Sequence, residues 1–376
     1  MRRFRLIALL CALFVLAAGS APANPVFTFT WGTNIGSNAA AQAGFQAAAA
    51  RWSSLFSDNV NISIRAELDN TLPPGALGSS NSSWFYSDYS FFKPQLVADA
   101  KTADDLTATS NLQAGPLKAL MNWTSDNPNA MKSGPFLDSS GSNNEHVAFT
   151  SAEARALGYT VSLNPGQYDA RITFNSNPAD GWDYDPTDGV SGYDFIGVAT
   201  HELGHVLGFR SGVDDLDSCF GAGPGASGAN RCYWDDASGT RHYSPDIGSD
   251  QFPFYALDLF RYSSDSVALD ALDWTADARA KYFSLDGGAT DLAAFATGMY
   301  NGDGRQASHW KRSTPRIGIM DPTVSKDTMA FISETDVRAL DVIGWDPVPE
   351  PSSLGLTLAA AVAALWVGRR RPRRNG

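Results

Sequence analysis

At residues 201–209 the chain reads His-Glu-Leu-Gly-His-Val-Leu-Gly-Phe, and this stretch decides most of what the sequence predicts. His201 and His205 are four residues apart, so on an α-helix their imidazoles share one face and can bind one metal ion. Only 5 histidines occur among 376 residues, which makes a helix that merely carries two surface histidines at this spacing the weaker interpretation. Glu202 can reach a water molecule on that ion as a general base.

The neighbouring residues favour a helix. Asp194 is a good N-cap residue, and residues 195–200 place apolar side chains at helical spacing. Gly208 can adopt the left-handed conformation that ends a helix, just past His205. Zinc accepts neutral imidazole nitrogens at about 2.0–2.1 Å, and catalytic zinc sites use three protein ligands and leave one position for water. The sequence therefore predicts a zinc site with a third ligand elsewhere.

The candidates for that third ligand are distant in sequence. The other histidines are His146, His242 and His309. Asp214 and Asp215 follow the predicted helix closely and could bind through oxygen. His242 lies among turn-forming residues and His146 precedes a short apolar run, so both are weaker candidates. Spacing alone does not choose among them.

Two later segments, together with the histidine motif, resemble the leishmanolysin-type metzincins, a group of zinc peptidases. Residues 306–311 read Gln-Ala-Ser-His-Trp-Lys and residues 318–322 read Gly-Ile-Met-Asp-Pro, similar to the Ser-His-Trp and Met-turn segments of that group. The compact metzincin motif would place a histidine at Ser211, so this chain departs from the short form. The resemblance implies that His309 is the third ligand, after a long insertion, and that Met320 is the Met-turn residue beneath the zinc.

The same resemblance implies an α+β fold in two parts. Residues 24–208 would hold a mixed sheet, long helices and the active-site helix, and residues 209–346 an irregular part with the insertion, the Met-turn and a terminal helix. Residues 168–176 have a strand pattern and are similar in position to the metzincin edge strand that aligns substrate. Ser333 starts a capping-box helix that Gly344 ends.

The implied activity is hydrolysis of peptide bonds in a protein or peptide substrate, with one catalytic zinc and with Glu202 as the base. A rival interpretation from another class is a non-catalytic cell-surface or extracellular-matrix protein on a retained metzincin-like fold. The intact Glu202 favours the enzyme, because a binding protein has no need of the base.

The N-terminal part shows further local patterns. We expect a strand at residues 27–29, a long helix at 38–56 and a strand at 59–68. Residues 79–149 are rich in Ser and Asn, and we expect an irregular insertion with one helix near residues 93–102.

Both termini predict export. Residues 1–23 combine arginines, an apolar run and an Ala-Pro-Ala cleavage site, which is typical of a secretory signal peptide. Residues 347–376 combine Pro-Glu-Pro, a short apolar segment and an arginine-rich tail, and resemble the PEP-CTERM sorting signal of Gram-negative bacteria. That resemblance implies an exosortase partner, a transient inner-membrane anchor and a final place at the cell surface or outside the cell. A plain membrane anchor is the alternative.

Composition agrees with an exported protein. The chain carries 28 Lys+Arg against 40 Asp+Glu, and eight of the basic residues lie in the two terminal segments. Such an acidic chain is not expected to bind nucleic acid. Cys219 and Cys232 would form one disulfide in an oxidising compartment. The Asp-rich turns at 183–189 and 301–304 offer oxygen ligands to Ca²⁺, but neither matches the EF-hand pattern, which favours solvated loops.

Overall fold

The computed structural model describes residues 24–73, 75–122, 135–220, 233–235, 241–243 and 252–349. The predicted signal peptide, the part of the sorting segment from Glu350 onward and Cys232 lie outside these ranges, and the side chain of Cys219 is likewise not described. Within them, no helix has the length and apolarity that a membrane crossing requires.

The first half of the described chain contains both strands and helices. In order they are β1 (Val26–Trp31), α1 (Thr33–Gly36), α2 (Ala39–Ser53), β2 (Asn61–Asp69), β3 (Gly78–Ser82), β4 (Trp84–Asp88), α3 (Tyr89–Asp99), α4 (Ala103–Asn111), β5 (Ala119–Met121), β6 (Phe136–Asp138), β7 (His146–Thr150), α5 (Ser151–Ala156) and β8 (Ala170–Asn175).

The second half has shorter elements. They are β9 (Trp182–Asp183), β10 (Tyr193–Asp194), α6 (Phe195–Val206), α7 (Val213–Phe220), β11 (Tyr233–Asp235), β12 (Arg241–Tyr243), β13 (Phe254–Tyr255), β14 (Arg261–Tyr262), α8 (Ser264–Val267), β15 (Leu272–Asp273), β16 (Lys281–Phe283), β17 (Ala293–Phe295) and α9 (Glu334–Asp341).

A four-stranded mixed sheet in the order β1-β2-β8-β3 supports the rest of the fold. β1 and β8 each run parallel to β2, and β3 runs antiparallel to β8. The strands β2 and β8 are the inner ones, and their alternate residues, such as Ile64 and Ile172, are fully buried. The prediction that residues 168–176 form an edge strand is therefore wrong in position: the strand exists, but β3 occupies the edge beside it.

Helix α2 packs against both the sheet and α6. Its N-cap Asn38 accepts a hydrogen bond from the Ala41 amide, and its buried face includes Phe45 and Trp52. The Trp52 indole donates a hydrogen bond of 2.8 Å to the Thr200 carbonyl, which fixes α2 against α6. The predicted helix at 38–56 and strand at 59–68 are thus confirmed with slightly shifted ends.

Smaller sheets connect the early and late parts of the chain. β13 pairs with β7 in the order β13-β7-β4, and β15 pairs with β5 in the order β15-β5-β6. Residues 79–149 were expected to be irregular, but they contain paired strands and two helices. The sequence of this segment does not reveal its sheets, because strands beyond residue 250 complete them. Pro347 and Val348 also pair back, against residues 55–56.

The described residues thus form an α+β fold of several small mixed sheets with helices, as predicted. One continuous cluster of buried apolar side chains runs from the main sheet through α2 and α6 to the segment around Trp310, Met320 and α9.

Candidate metal centre

Helix α6 carries the histidine motif and is fixed at both ends. The Asp194 side chain accepts a hydrogen bond of 2.8 Å from the Gly197 amide and a second from the Ala330 amide. The helix ends at Gly208, which has φ +114°, a conformation that disfavours residues with a Cβ. A Cβ at Gly208 would also lie 2.5 Å from Glu153 Oε2. The predicted start and end of this helix are confirmed.

Three imidazoles, two from this helix and one from a distant segment, converge on one point. The Nε2 atoms of His201, His205 and His309 are 3.2 Å from one another in all three pairs. A tetrahedral zinc ion with bonds of about 2.0–2.1 Å separates its ligand nitrogens by about 3.3–3.4 Å. The triangle therefore has the size that a bound metal ion of this kind requires, and the three histidines are close enough to bind one.

The second nitrogen of each ring shows which atom carries the proton. Nδ1 of His201 lies 2.8 Å from the Ile319 carbonyl, Nδ1 of His205 lies 2.8 Å from the Phe209 carbonyl, and Nδ1 of His309 lies 3.2 Å from the Gln306 carbonyl. Because a carbonyl oxygen can only accept, each Nδ1 is the donor and each Nε2 of a neutral ring presents a lone pair. Three lone pairs facing one point repel one another unless a cation lies between them.

Desolvation keeps these rings neutral. It lowers the pKa of His201 to about 4 and that of His309 to about 3, and it lowers the pKa of His205 well below its usual range. A metal ion therefore meets no competing proton on the three nitrogens at neutral pH.

The two ends of the insertion lie side by side, and this brings His309 to helix α6. The Ser211 amide, at the position where a compact motif would have its histidine, donates a hydrogen bond of 3.0 Å to the Ser308 hydroxyl. Asp214 accepts hydrogen bonds from the amides of Met299 and Ala307. The candidate ligand Asp214 thus binds the loop that carries His309 and does not join the histidine cluster.

Met320 lies under the histidine-bearing helix. It is fully buried, and a Cβ added at Gly204 would lie 2.4 Å from its sulfur. Its amide donates to Asp336, and its carbonyl accepts a hydrogen bond from the Trp310 amide. Met320 therefore packs against Gly204, the residue just before His205, which has no side chain to fill this space.

Glu202 is 6% exposed and faces β3. Burial raises the pKa of its carboxyl to about 7, and a hydrogen bond with the Ser80 side chain and the positive charge of Arg210 offset part of that rise. A Cβ at Gly78 would lie 2.9 Å from Glu202 Oε1, so a glycine at that position gives the carboxyl its space. A carboxyl with a pKa near neutrality is suited to accept and then return a proton.

An open cleft of about 700 Å³ lies in front of these residues. Pro73 and residues 75–80, which include the first part of β3, line one side, and Ile319 with residues 321–324, after the third histidine, line another. Asp321 and Pro322 are among them.

The remaining predicted ligands lie elsewhere. His146 pairs with Asp88 at 3.0 Å, and its ring contacts Ser142. His242 belongs to β12, and its side chain lies outside the described residues. In the proposed calcium turns the carboxylates of Asp183 and Asp303 accept backbone amides. In the described ranges the three histidines are the only group of His, Cys, Asp or Glu whose ligand atoms converge.

Several residues of the site carried no recognised signal in the sequence. Ser80 lies in the Gly-Ser-Ser-Asn-Ser strand β3, which has neither alternation nor strand-forming residues. Arg210, Arg305 and Asp336 are ordinary charged residues whose role depends on distant contacts. A capping-box pattern marked Asp336 as the N3 residue of α9, but not its contact with Trp310.

No family model matches this chain, and no match is found among the curated proteins or the solved structures. The likeness to metzincins therefore rests on the quoted motifs.

Proposed function

We propose that this protein is an exported zinc endopeptidase of the metzincin type. The observation that carries the proposal is the convergence of three neutral imidazole nitrogens, all 3.2 Å apart, beside the buried carboxyl of Glu202. Structural zinc sites fill all four positions with protein ligands, whereas three ligands facing an open cleft leave a position for water.

In this proposal His201, His205 and His309 hold the metal. A zinc ion held there would be a Lewis acid for a peptide carbonyl and would lower the pKa of a water molecule toward about 7. Glu202 accepts the proton of the attacking water and delivers it to the leaving amine. The Ser80 side chain orients this carboxyl, and the carbonyls of Ile319, Phe209 and Gln306 hold the three rings.

The edge strand β3 gives the substrate a place to bind. It pairs with β8 on one side, and no strand of the described chain covers its other side. An extended peptide can add to such an edge through main-chain hydrogen bonds, which aligns a scissile bond along the cleft without a sequence requirement.

The substitution Glu202→Gln tests the proposal. It removes the proton acceptor and leaves the three ligands, so zinc content should stay near one per chain while hydrolysis of a peptide library falls by at least a hundredfold. Glu145→Gln, at an exposed glutamate away from the cleft, is the matched control and should keep full activity. Activity of Glu202→Gln within tenfold of the parent would assign the base elsewhere. A parent protein that holds zinc but cleaves nothing would favour the non-catalytic surface protein.

Export is a separate part of the proposal. Mass spectrometry of the protein from its native host should find Asn24 as the first residue and a tail processed after Glu350. An intact, membrane-held C-terminus would favour the plain anchor.

A further inference from the structure

Three arginines line the cleft in front of the histidines, although acidic residues greatly outnumber basic ones in this chain. They are Arg210, Arg305 and Arg316. Glu202 and Asp321 are the acidic residues of the same lining, so basic residues outnumber acidic ones in the cleft, the reverse of the chain as a whole.

The Arg316 guanidinium binds main-chain atoms of the cleft wall. Its Nη1 donates a hydrogen bond of 2.7 Å to the Thr323 carbonyl, and its Nη2 donates one of 3.3 Å to the Gly318 carbonyl. The Asp321 carboxylate lies 3.8 Å from its Nε. This guanidinium holds the wall of the cleft, and its charge is largely balanced.

Arg305 differs from Arg316, because the carboxylates near Arg305 bind backbone amides and do not pair with its guanidinium. Asp303 accepts the amides of Thr297 and Arg305, and Asp217 accepts the amide of Tyr300. Asp214 accepts two further amides of the same loop, as described above. These bonds fix the loop, while the Arg305 side chain forms no ion pair with a carboxylate of the described ranges. Its guanidinium is half-buried and lines the cleft.

Arg210 is held by an aromatic ring. Its guanidinium lies 5.6 Å from the centre of the Tyr255 ring, a geometry in which the cation is attracted to the ring face. The charge of Asp215 partly offsets that of Arg210. The ring restricts the arginine side chain without neutralising its charge. The side chain therefore loses less conformational freedom when an anion binds.

We propose that the cleft selects substrates that present a carboxylate near the scissile bond, with Arg210 and Arg305 as the residues that determine this specificity. The carboxylate belongs either to an acidic side chain or to the C-terminus of the substrate, since a guanidinium binds both in the same way. This inference rests on the proposed peptidase function for its scissile bond, but the recognition of a carboxylate can be measured independently.

The test uses a set of peptides built around one sequence that the zinc-loaded full chain cleaves. Members differ by a single Glu→Gln change at each position around the scissile bond, or by a free against an amidated C-terminus. For the parent we expect kcat/KM for the best acidic member to exceed that of its neutral partner by about fivefold or more. This ratio should shrink as NaCl is raised from 0.05 to 0.5 M, because salt screens partly exposed charges.

Variants at the two arginines locate the preference. Arg305→Gln and Arg210→Gln should each reduce the acidic-to-neutral ratio toward one, and Arg305→Lys should keep part of it. Arg312→Gln removes an exposed charge outside the cleft and should leave the ratio unchanged. Circular dichroism and zinc content establish that each variant is folded. A preference confined to internal Glu assigns a side-chain carboxylate, and one confined to the free C-terminus assigns the terminal carboxylate.

Two results would overturn the inference. One is a parent protein that cleaves acidic and neutral partners equally well, and the other is a preference that both glutamine variants and the lysine variant retain in full. If no peptide is cleaved, the peptidase proposal fails, and fluorescence anisotropy of the same labelled peptides then decides the carboxylate question. Equal binding of acidic and neutral peptides in that assay would refute it.

Discussion

The indole Nε1 of Trp310 donates a hydrogen bond of 2.8 Å to the carboxylate of Asp336, and both side chains are fully buried. Trp310 follows His309, while Asp336 lies in the first turn of α9. The same carboxylate accepts the amides of Ile319, at 2.8 Å, and Met320, at 3.2 Å. One acidic residue therefore holds together the segment that carries His309 and the turn beneath the histidines.

Replacing Asp336 with Ala should damage both stability and the metal site. The change leaves the Trp310 indole and several backbone amides buried without an acceptor, which costs about 3 kcal/mol or more. We expect a lower urea midpoint and a zinc affinity reduced by tenfold or more, measured by chelator competition. Asp188→Ala, at an exposed position, is the control. Unchanged zinc affinity in a folded Asp336→Ala protein would show that the site does not depend on this anchor.

Of the histidines outside α6, His309 should be the one whose removal reduces zinc affinity most. His309→Ala takes away one of three convergent nitrogens, so we expect a loss of at least a hundredfold, beyond that typical of an outer-shell residue. His146→Ala is the matched control, because that ring contacts Asp88 and Ser142 instead. Competition with a chromogenic chelator gives both affinities. Equal affinities for the two variants would exclude His309 as a ligand.

Gly204 and Met320 should show strong energetic coupling. An alanine Cβ at position 204 would lie 2.4 Å from the Met320 sulfur and 3.3 Å from Trp52, so Gly204→Ala should destabilise the protein by about 1–3 kcal/mol. In a Met320→Ala background the same change should cost much less. Urea denaturation of the four proteins of this double-mutant cycle measures the coupling. Additive effects would mean that the two residues do not contact each other.

Three aspartates with raised pKa values should contribute more to stability in mild acid than in mild base. Burial raises the pKa of Asp58 to about 7, that of Asp99 to about 6 and that of Asp341 to about 8. Unfolded aspartate has a pKa of about 3.9, so the folded state binds more protons between about pH 4 and pH 8. Their contribution is fully present below the unfolded pKa and is lost as pH rises through the folded pKa.

Between pH 5 and pH 8 the parent should therefore lose on the order of 1–2 kcal/mol of unfolding free energy, measured by urea denaturation, relative to Asp341→Asn. Asp341 accepts a hydrogen bond from the Thr102 hydroxyl, which Asn can also accept through its carbonyl oxygen. The difference between parent and variant cancels any contribution from bound zinc. Asp188→Asn serves again as an exposed control. An Asp341→Asn protein with the parent's pH slope would contradict the raised pKa.

Local patterns in the sequence predicted the elements that local forces create. Helix α6 follows from the Asp194 cap, the apolar periodicity and Gly208, and the spacing of His201 and His205 follows from 3.6 residues per turn. The four-residue spacing and the neighbouring Glu202 can be recognised without any tertiary contact. Helices α2 and α9 were predictable for the same reason, since each combines a cap with an apolar face.

Contacts distant in sequence decided the rest. Strand β3 is a strand because it pairs with β8, although Gly-Ser-Ser-Asn-Ser has no strand pattern, and this pairing places Ser80 beside Glu202. The selection of His309 depended on a resemblance, since about a hundred residues separate it from α6. Only the folded chain brings Ser308 to Ser211 and Trp310 to Asp336. Sequence by itself thus determined the helix and the shared face of His201 and His205, because they depend on neighbours along the chain. Tertiary structure decided the approach of His309, the edge strand and the charge of the cleft, because these depend on which distant segments pack together.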